Sequence, residues 1–276
     1  MDRTIESGFE LRGETNSFPR LIAHTWHSRD LLVMLARKDF FVRYRRAAFG
    51  TAWAIALPLF QAVVLAFVFS HITKFKTGVN YPTFVFAGLL PWTFFSTALP
   101  VAATSIVDGQ GLATKIYFPR AILPLSSVVA NLFAFLPNIV VLLGMELIFG
   151  VGIGPRALLL VPATVLMVLL TISFALVLSA AHVYFRDVRY ILQAGLLAWF
   201  WASAVFFPLT LTRGVLRTLI IINPVTGIVT FFRAASVGGE PGWVTAVWYS
   251  LAWTAGLLIL AGILHRRFDR VFVDLL

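Results

Sequence analysis

The one stretch of this sequence that has the look of a phosphate loop is Asp108-Gly109-Gln110-Gly111-Leu112-Ala113-Thr114-Lys115, and it lacks what that chemistry needs. A Walker A loop sets glycine directly before its lysine and a hydroxyl residue directly after it, so that backbone N–H groups and the ammonium meet the phosphates together. Lys115 has Thr114 and Ile116 in those places. The chain is therefore not expected to bind nucleotide itself. Acid–base chemistry fares no better, because no carboxylate pair and no His–Asp cluster falls inside the apolar stretches. His71 and Glu146 stand near one end of such stretches and His182 near the other. Ionisable groups within spans are the usual mark of a proton-driven carrier, and their near-absence argues against one. With no cysteine there is no thiolate nucleophile, thiolate metal site or disulfide framework. The expectation is a protein with no catalytic residue, no metal and no cofactor of its own.

The elements that hold these few polar groups are apolar and long. Of 276 residues 59% are hydrophobic and only 12% charged, outside the range of water-soluble domains. A hydrocarbon layer roughly 30 Å thick needs about 20 apolar residues in helix. Six uncharged stretches meet that length, at 47–72, 81–107, 121–145, 157–181, 190–211 and 243–264. The fold class expected is all-α and polytopic. A seventh stretch, 218–232, is shorter and is interrupted by Asn223-Pro224, which removes a backbone donor and restricts the residue before it. It reads as one or two short helices dipping into the membrane from one side, allowed where protein or a water-filled cavity satisfies the backbone.

Basic residues orient the spans. One set of loops holds Arg37, Lys38, Arg43, Arg45 and Arg46, then Lys115 and Arg120, then Arg186 and Arg189, then Arg266, Arg267 and Arg270. The opposite loops hold Lys74, Lys76, Arg156, Arg213, Arg217 and Arg233. The positive-inside rule then places both termini in the cytoplasm, and topology explains most of the net charge of +10 without nucleic acid. Residues 1–27 carry no apolar run and read as a cytoplasmic tail rather than a signal peptide. Residues 28–46 start at Ser28 and Asp30 and mix Leu31-Leu32-Val33-Met34-Leu35 with arginines, the pattern of an amphipathic helix at the membrane surface; 47–276 form the membrane domain. The arginines Arg37, Arg43, Arg45 and Arg46 with Lys38 suit anionic headgroups, and a lipid diphosphate could be held there.

The order of these parts resembles a known family. A basic amphipathic helix, six spans, Lys115-Ile116-Tyr117-Phe118-Pro119-Arg120 before the third, Tyr184-Phe185-Arg186-Asp187-Val188 after the fourth and Asn223-Pro224 before the last are similar to ABC type-2 permeases. Within them the likeness is to subunits that export lipid-linked polysaccharides such as O-antigen, capsule, teichoic acid or galactan, and it covers the chain from about Leu31 onward. The resemblance implies a homodimer in the bacterial inner membrane with two copies of a separate ATPase, which would hold ATP and Mg. It implies that Asp108 through Lys115, Ile116, Tyr117, Phe118, Pro119 and Arg120 rest on that ATPase, with Arg186 and Asp187 as a second contact. It also implies that 213–236 are short external gate helices turning at Asn223-Pro224, and that Tyr81 and Pro82 line the outer half of the channel.

Aromatic content fits a glycan. With 26 Phe, 8 Trp and 6 Tyr the chain could present rings to the C–H faces of sugars, and Trp53, Phe60, Trp92, Phe94, Phe95, Trp199 and Trp201 are candidates. Interfacial belts and core packing use the same residues. The alternative reading is a type-2 permease for drugs, haem or another lipid. Drug-exporting relatives often carry a large domain after the first span, whereas the connection here is only about 71–80.

Overall fold

The computed structural model describes residues 28–72, 80–113 and 118–268. The tail 1–27, the loop 73–79 with Lys74 and Lys76, Lys115-Ile116-Tyr117 and Arg270 lie outside the described residues, as do the side chains of His71, Arg266 and Arg267. Among the described residues the protein is all-α, with ten α-helices and no strand. They are α1 (Arg29–Tyr44), α2 (Trp53–Ile72), α3 (Tyr81–Asp108), α4 (Gln110–Ala113), α5 (Ile122–Ile148), α6 (Leu160–Tyr184), α7 (Val188–Ala202), α8 (Gly214–Ile222), α9 (Pro224–Ser236) and α10 (Trp243–Phe268). Five of them, α2, α3, α5, α6 and α10, contain stretches long and apolar enough to cross a membrane. The molecule is a multi-span helical membrane protein.

Helix α3 is its axis. It is far more buried than the other spans and packs on α2, α5, α6, α7 and α9. A proline inside a helix is tolerated where a neighbour takes over the freed acceptor, as happens in α2. Pro58 in α2 has no N–H to give Ala54, and Asn138 of α5 donates its Nδ2 to that carbonyl at 3.0 Å instead. One buried asparagine thus mends a helix 84 residues away.

Helix α1 forms over the expected stretch and packs along the first half of α5 rather than standing apart. Leu31, Leu32 and Leu35 meet Phe118, Ile122 and Leu123. Further along, Phe40 packs edge-on against Phe133. Ser28 precedes the helix, yet its side chain makes no capping bond. The opposite face leaves Met34, Phe41 and Val42 exposed beside Arg37 and Lys38. Gly50, in the left-handed region at φ 51°, turns the chain from α1 into α2.

The fifth expected span requires a correction. Stretch 190–211 is helical only as far as Ala202; residues 203–208 run without helix before a single 3-10 turn. The 15 residues of α7 cover only about 22 Å, short of the hydrocarbon thickness. The chain nevertheless reaches the far end of the bundle, because the Tyr81 hydroxyl at the start of α3 donates to the Phe206 carbonyl at 2.6 Å. Non-helical backbone persists because distant side chains satisfy it. The seventh stretch is two short helices, as expected: α8 and α9 meet at 85°, and the break falls at Asn223.

Candidate functional site

Three polar groupings stand out in this apolar bundle. The first surrounds the broken span. Arg233 of α9 is fully buried, so its count among the charges of the opposite loops is overturned: the charge sits inside the protein. Its guanidinium donates through Nη2 to the Val205 carbonyl (2.5 Å), through Nη1 to Phe207 (3.2 Å) and through Nε to Phe84 (3.4 Å). It also lies 3.6 Å from the centroid of the Phe84 ring and pairs with Glu240 at 3.4 Å. The other Glu240 oxygen accepts from the Leu209 N–H at 2.6 Å. A single cation therefore supplies donors to carbonyls of α3 and of the non-helical segment, with one carboxylate as counter-charge. A charge inside an apolar run, Arg233 after Thr230-Phe231-Phe232, was the available signal; loop counting passed over it.

Asn223 is the second member of this grouping. Its Oδ1 accepts from the Val225 N–H (3.0 Å), capping α9, and from Trp199 Nε1 (2.9 Å). Its Nδ2 donates to the Ala202 carbonyl and to Ser203 Oγ, each at 3.1 Å. The same side chain thus starts α9 and terminates α7. Asn223→Ala should lower stability in detergent by about 2–4 kcal/mol, combining a lost cap with stranded partners. Titration with a denaturing detergent reads this, and an unchanged midpoint would refute the capping role.

The second grouping is the basic end of the bundle. Asp108 closes α3 and is exposed, and Arg186 and Asp187 are exposed in the turn between α6 and α7. The charges of Asp108, Arg186 and Arg189 all act on His182, which is buried at the end of α6. The structure therefore brings together the two loops that the sequence separates. Phe118 is buried against Leu35, and Pro119 and Arg120 form the turn into α5, their carbonyls accepting from Ile122 and Leu123.

The third is a cavity of about 110 Å³ between the end of α1, the start of α2, α3 and α5. Arg43 and Trp53 line it together with Phe94, Asn131 and Asn138, and Arg43 Nη1 donates to Asn131 Oδ1 at 2.7 Å. Lys38 and Arg45 line a separate open groove beside Gly50, and Arg37 and Arg46 are exposed.

Aromatic candidates divide sharply. Trp92, Phe94 and Phe95 are buried in the core. Trp199 is half-buried, with ring centroids 5.4 Å from Phe95 and 5.5 Å from Phe174. Tyr81 is half-buried and engaged with Phe206. Trp53, Phe60 and Trp201 are exposed on the single chain.

Helices interrupted inside an apolar bundle, with the freed backbone satisfied by buried polar side chains, are a construction that membrane transport proteins use. The chain belongs to the ABC-2 type transporter family, whose sequence model matches residues 30–236. It is 34% identical over 221 residues to the O-antigen export system permease protein RfbA of Myxococcus xanthus, covering 78% of this chain and 83% of that one. It is 26% identical to a protein of the same name from Klebsiella pneumoniae, over 76% and 81% of the two chains. The polysialic acid transport protein KpsM of Escherichia coli is 23% identical, over 71% and 77%.

Proposed function

We propose that this chain is the membrane-spanning permease subunit of an ATP-driven exporter that carries a lipid-linked polysaccharide of O-antigen type across the bacterial inner membrane. The observation that carries the reading is the similarity to an O-antigen export permease along most of both chains. The subunit acts as a homodimer with two copies of a separate ATPase, which holds ATP and Mg; this chain holds no cofactor. Both termini face the cytoplasm, so the basic end faces the ATPase. Burial of Arg233 supports that orientation, since it removes one basic residue from the opposite loops.

The lipid diphosphate is admitted beside α1, where Arg37, Lys38, Arg43, Arg45 and Arg46 gather at the membrane surface. The glycan then threads the dimer axis past exposed rings such as Trp53, Phe60 and Trp201, while the buried Trp92, Phe94 and Phe95 form the frame behind them. ATPase closure reaches the membrane domain through Asp108, Phe118 to Arg120, and Arg186 with Asp187. The α8–α9 pair, hinged at Asn223 and Pro224, is the external gate.

The test is to purify the protein with its ATPase in lipid and follow hydrolysis and export of lipid-linked glycan together. Glycan should stimulate hydrolysis, and drug-like substrates should not. Arg120→Ala should cut export by at least roughly fivefold, the lower end of coupling energies between sites, while the complex stays assembled and hydrolyses ATP. Arg120 is preferable to Phe118 for this purpose, because truncating Phe118 would also hollow the contact with α1. Export at the wild-type rate in the Arg120 variant would sink the coupling assignment.

A further inference from the structure

Glu146 lies near the end of α5 opposite the basic loops and is only 1% exposed. Its backbone carbonyl accepts from the Val151 and Gly152 N–H groups, so the chain folds back over the helix end. The Ser236 hydroxyl, on the last residue of α9, and the charge of Arg156 both act on its carboxyl. Yet both carboxyl oxygens, Ser236 Oγ and Arg156 Nε are buried without a hydrogen bond of ordinary geometry among the described residues. Groups that could answer one another are thus gathered from three elements and left unjoined.

A carboxylate and a guanidinium that have left water without meeting lack the bonds that offset their burial. The arrangement that supplies those bonds is a direct fork between Arg156 and Glu146. Two features put it within reach. Arg156 is tied only through Nη2, to the Val151 carbonyl at 3.3 Å, and the preceding loop turns on Gly150 and Gly152 at φ 73° and 71°. The end of α9 rests against both partners: Ser236 acts on the carboxyl, and a Cβ on Gly238 would stand 3.9 Å from Arg156 Nη1. Helix α9 also packs on the 3-10 turn Pro155–Leu159 that carries Arg156. Displacing the last turn of α9 therefore frees the two charges to close on each other.

We propose that Glu146 and Arg156 form a two-state latch for α9, apart while the end of α9 is seated on them and paired once it lifts. The pair stabilises the lifted state alone, so it shifts the balance between the two states without strengthening the seated one. The inference rests on the reading of α8 and α9 as a moving gate.

The chain has no cysteine, so Ile153→Cys and Pro241→Cys, both at exposed positions, place a pair of spin labels on the two sides of the latch. Distances are measured in the complex with its ATPase in lipid discs, with and without a non-hydrolysable ATP analogue. The analogue should add a longer-distance population. Glu146→Gln and Arg156→Gln should each reduce that population by at least about fivefold, and the double variant no further, since either change removes the same pair. Without the analogue, Glu146→Gln should leave the denaturation midpoint in detergent no lower, because the seated state loses no bond. A lowered midpoint would mean that the charges are already paired, and would overturn the latch. Single-variant losses that multiply in the double variant would overturn it too, as would a longer-distance population equal in the labelled parent and both single variants; in that last case α9 still moves and the gate reading stands. If the labelled parent shows one distance in both conditions, the gate reading fails and takes the latch with it.

Discussion

Arg233→Met should prevent the permease from holding its folded state, with a loss of roughly 3–5 kcal/mol, the scale seen when one partner of a buried ion pair is removed. The methionine fills similar space but has no donor. Val205, Phe207 and Phe84 would lose a partner for their carbonyls, and Glu240 would keep a charge in an almost buried position with only the Leu209 N–H to answer it. Two of those carbonyls belong to the non-helical stretch that follows α7, where no helical hydrogen bond stands in reserve. Arg233→Lys should restore little, because one ammonium cannot spread donors across carbonyls on two segments as the guanidinium fork does. Gly88 gives an independent handle on the same clamp. A Cβ there would come within 2.7 Å of the Val205 oxygen and 2.8 Å of Arg233 Nη2, so Gly88→Ala should displace the guanidinium without altering its charge. Denaturation midpoints in detergent and the yield of inserted protein are the readouts. A midpoint at the wild-type value for Arg233→Met would mean that the carbonyls find other partners, and the clamp would lose its standing.

That clamp also marks where reading the sequence ends. Apolar length alone located α2, α3, α5, α6 and α10, because a membrane imposes one length on any helix that crosses it. The break at Asn223-Pro224 was legible for an equally local reason, since proline withholds a donor and bends the chain where it stands. The end of α7 at Ala202 was not legible. Residues 203–207 carry no breaker, and Pro208 comes too late; what lets the helix stop is an asparagine 21 residues away on the Ala202 carbonyl, with a tyrosine 125 residues away and an arginine 28 residues away on the backbone that follows. Arg233 was misplaced for the matching reason. Counting charges between apolar runs assumes that a charge there meets water, whereas its partners come from three separate parts of the chain. Rings posed the same difficulty: Trp92, Phe95 and Trp201 look alike in the sequence, and only packing separates the two core rings from the exposed one. Polar pairs such as Arg43 with Asn131 and Asn138 with Ala54 depend on register between helices, which apolar periodicity does not encode.

Gly227 makes the second large prediction, because at this position α9 lies directly on the backbone of α10. A Cβ on Gly227 would run into the Ala246 oxygen and Ser250 Oγ and would sit 2.6 Å from the Ala246 carbonyl carbon. Ala246, Ser250 and Thr254, spaced four apart on α10, are all buried and small, the kind of stripe that lets two helices approach closely in lipid. Ser250 Oγ also donates to the Pro224 carbonyl at the start of α9, so the contact carries a polar tie as well. Neither helix can yield locally, since two of the three nearest atoms are Ala246 backbone and the third is the short, buried Ser250 side chain. Gly227→Ala should therefore cost about 1–3 kcal/mol, and Gly227→Leu more, with α9 levered off α10. Gly256→Ala in the same α10 is the control: a Cβ there meets nothing, and helix propensity should leave stability equal or slightly raised. If Gly227→Ala and Gly256→Ala unfold together at the wild-type midpoint, the close approach is not what holds α9. If Gly227→Ala folds at a cost yet exports at the wild-type rate, then α9 can shift on α10 without consequence and cannot be a gate. A folded variant in which ATP is hydrolysed and export is lost would instead place the moving surface of the gate at this contact.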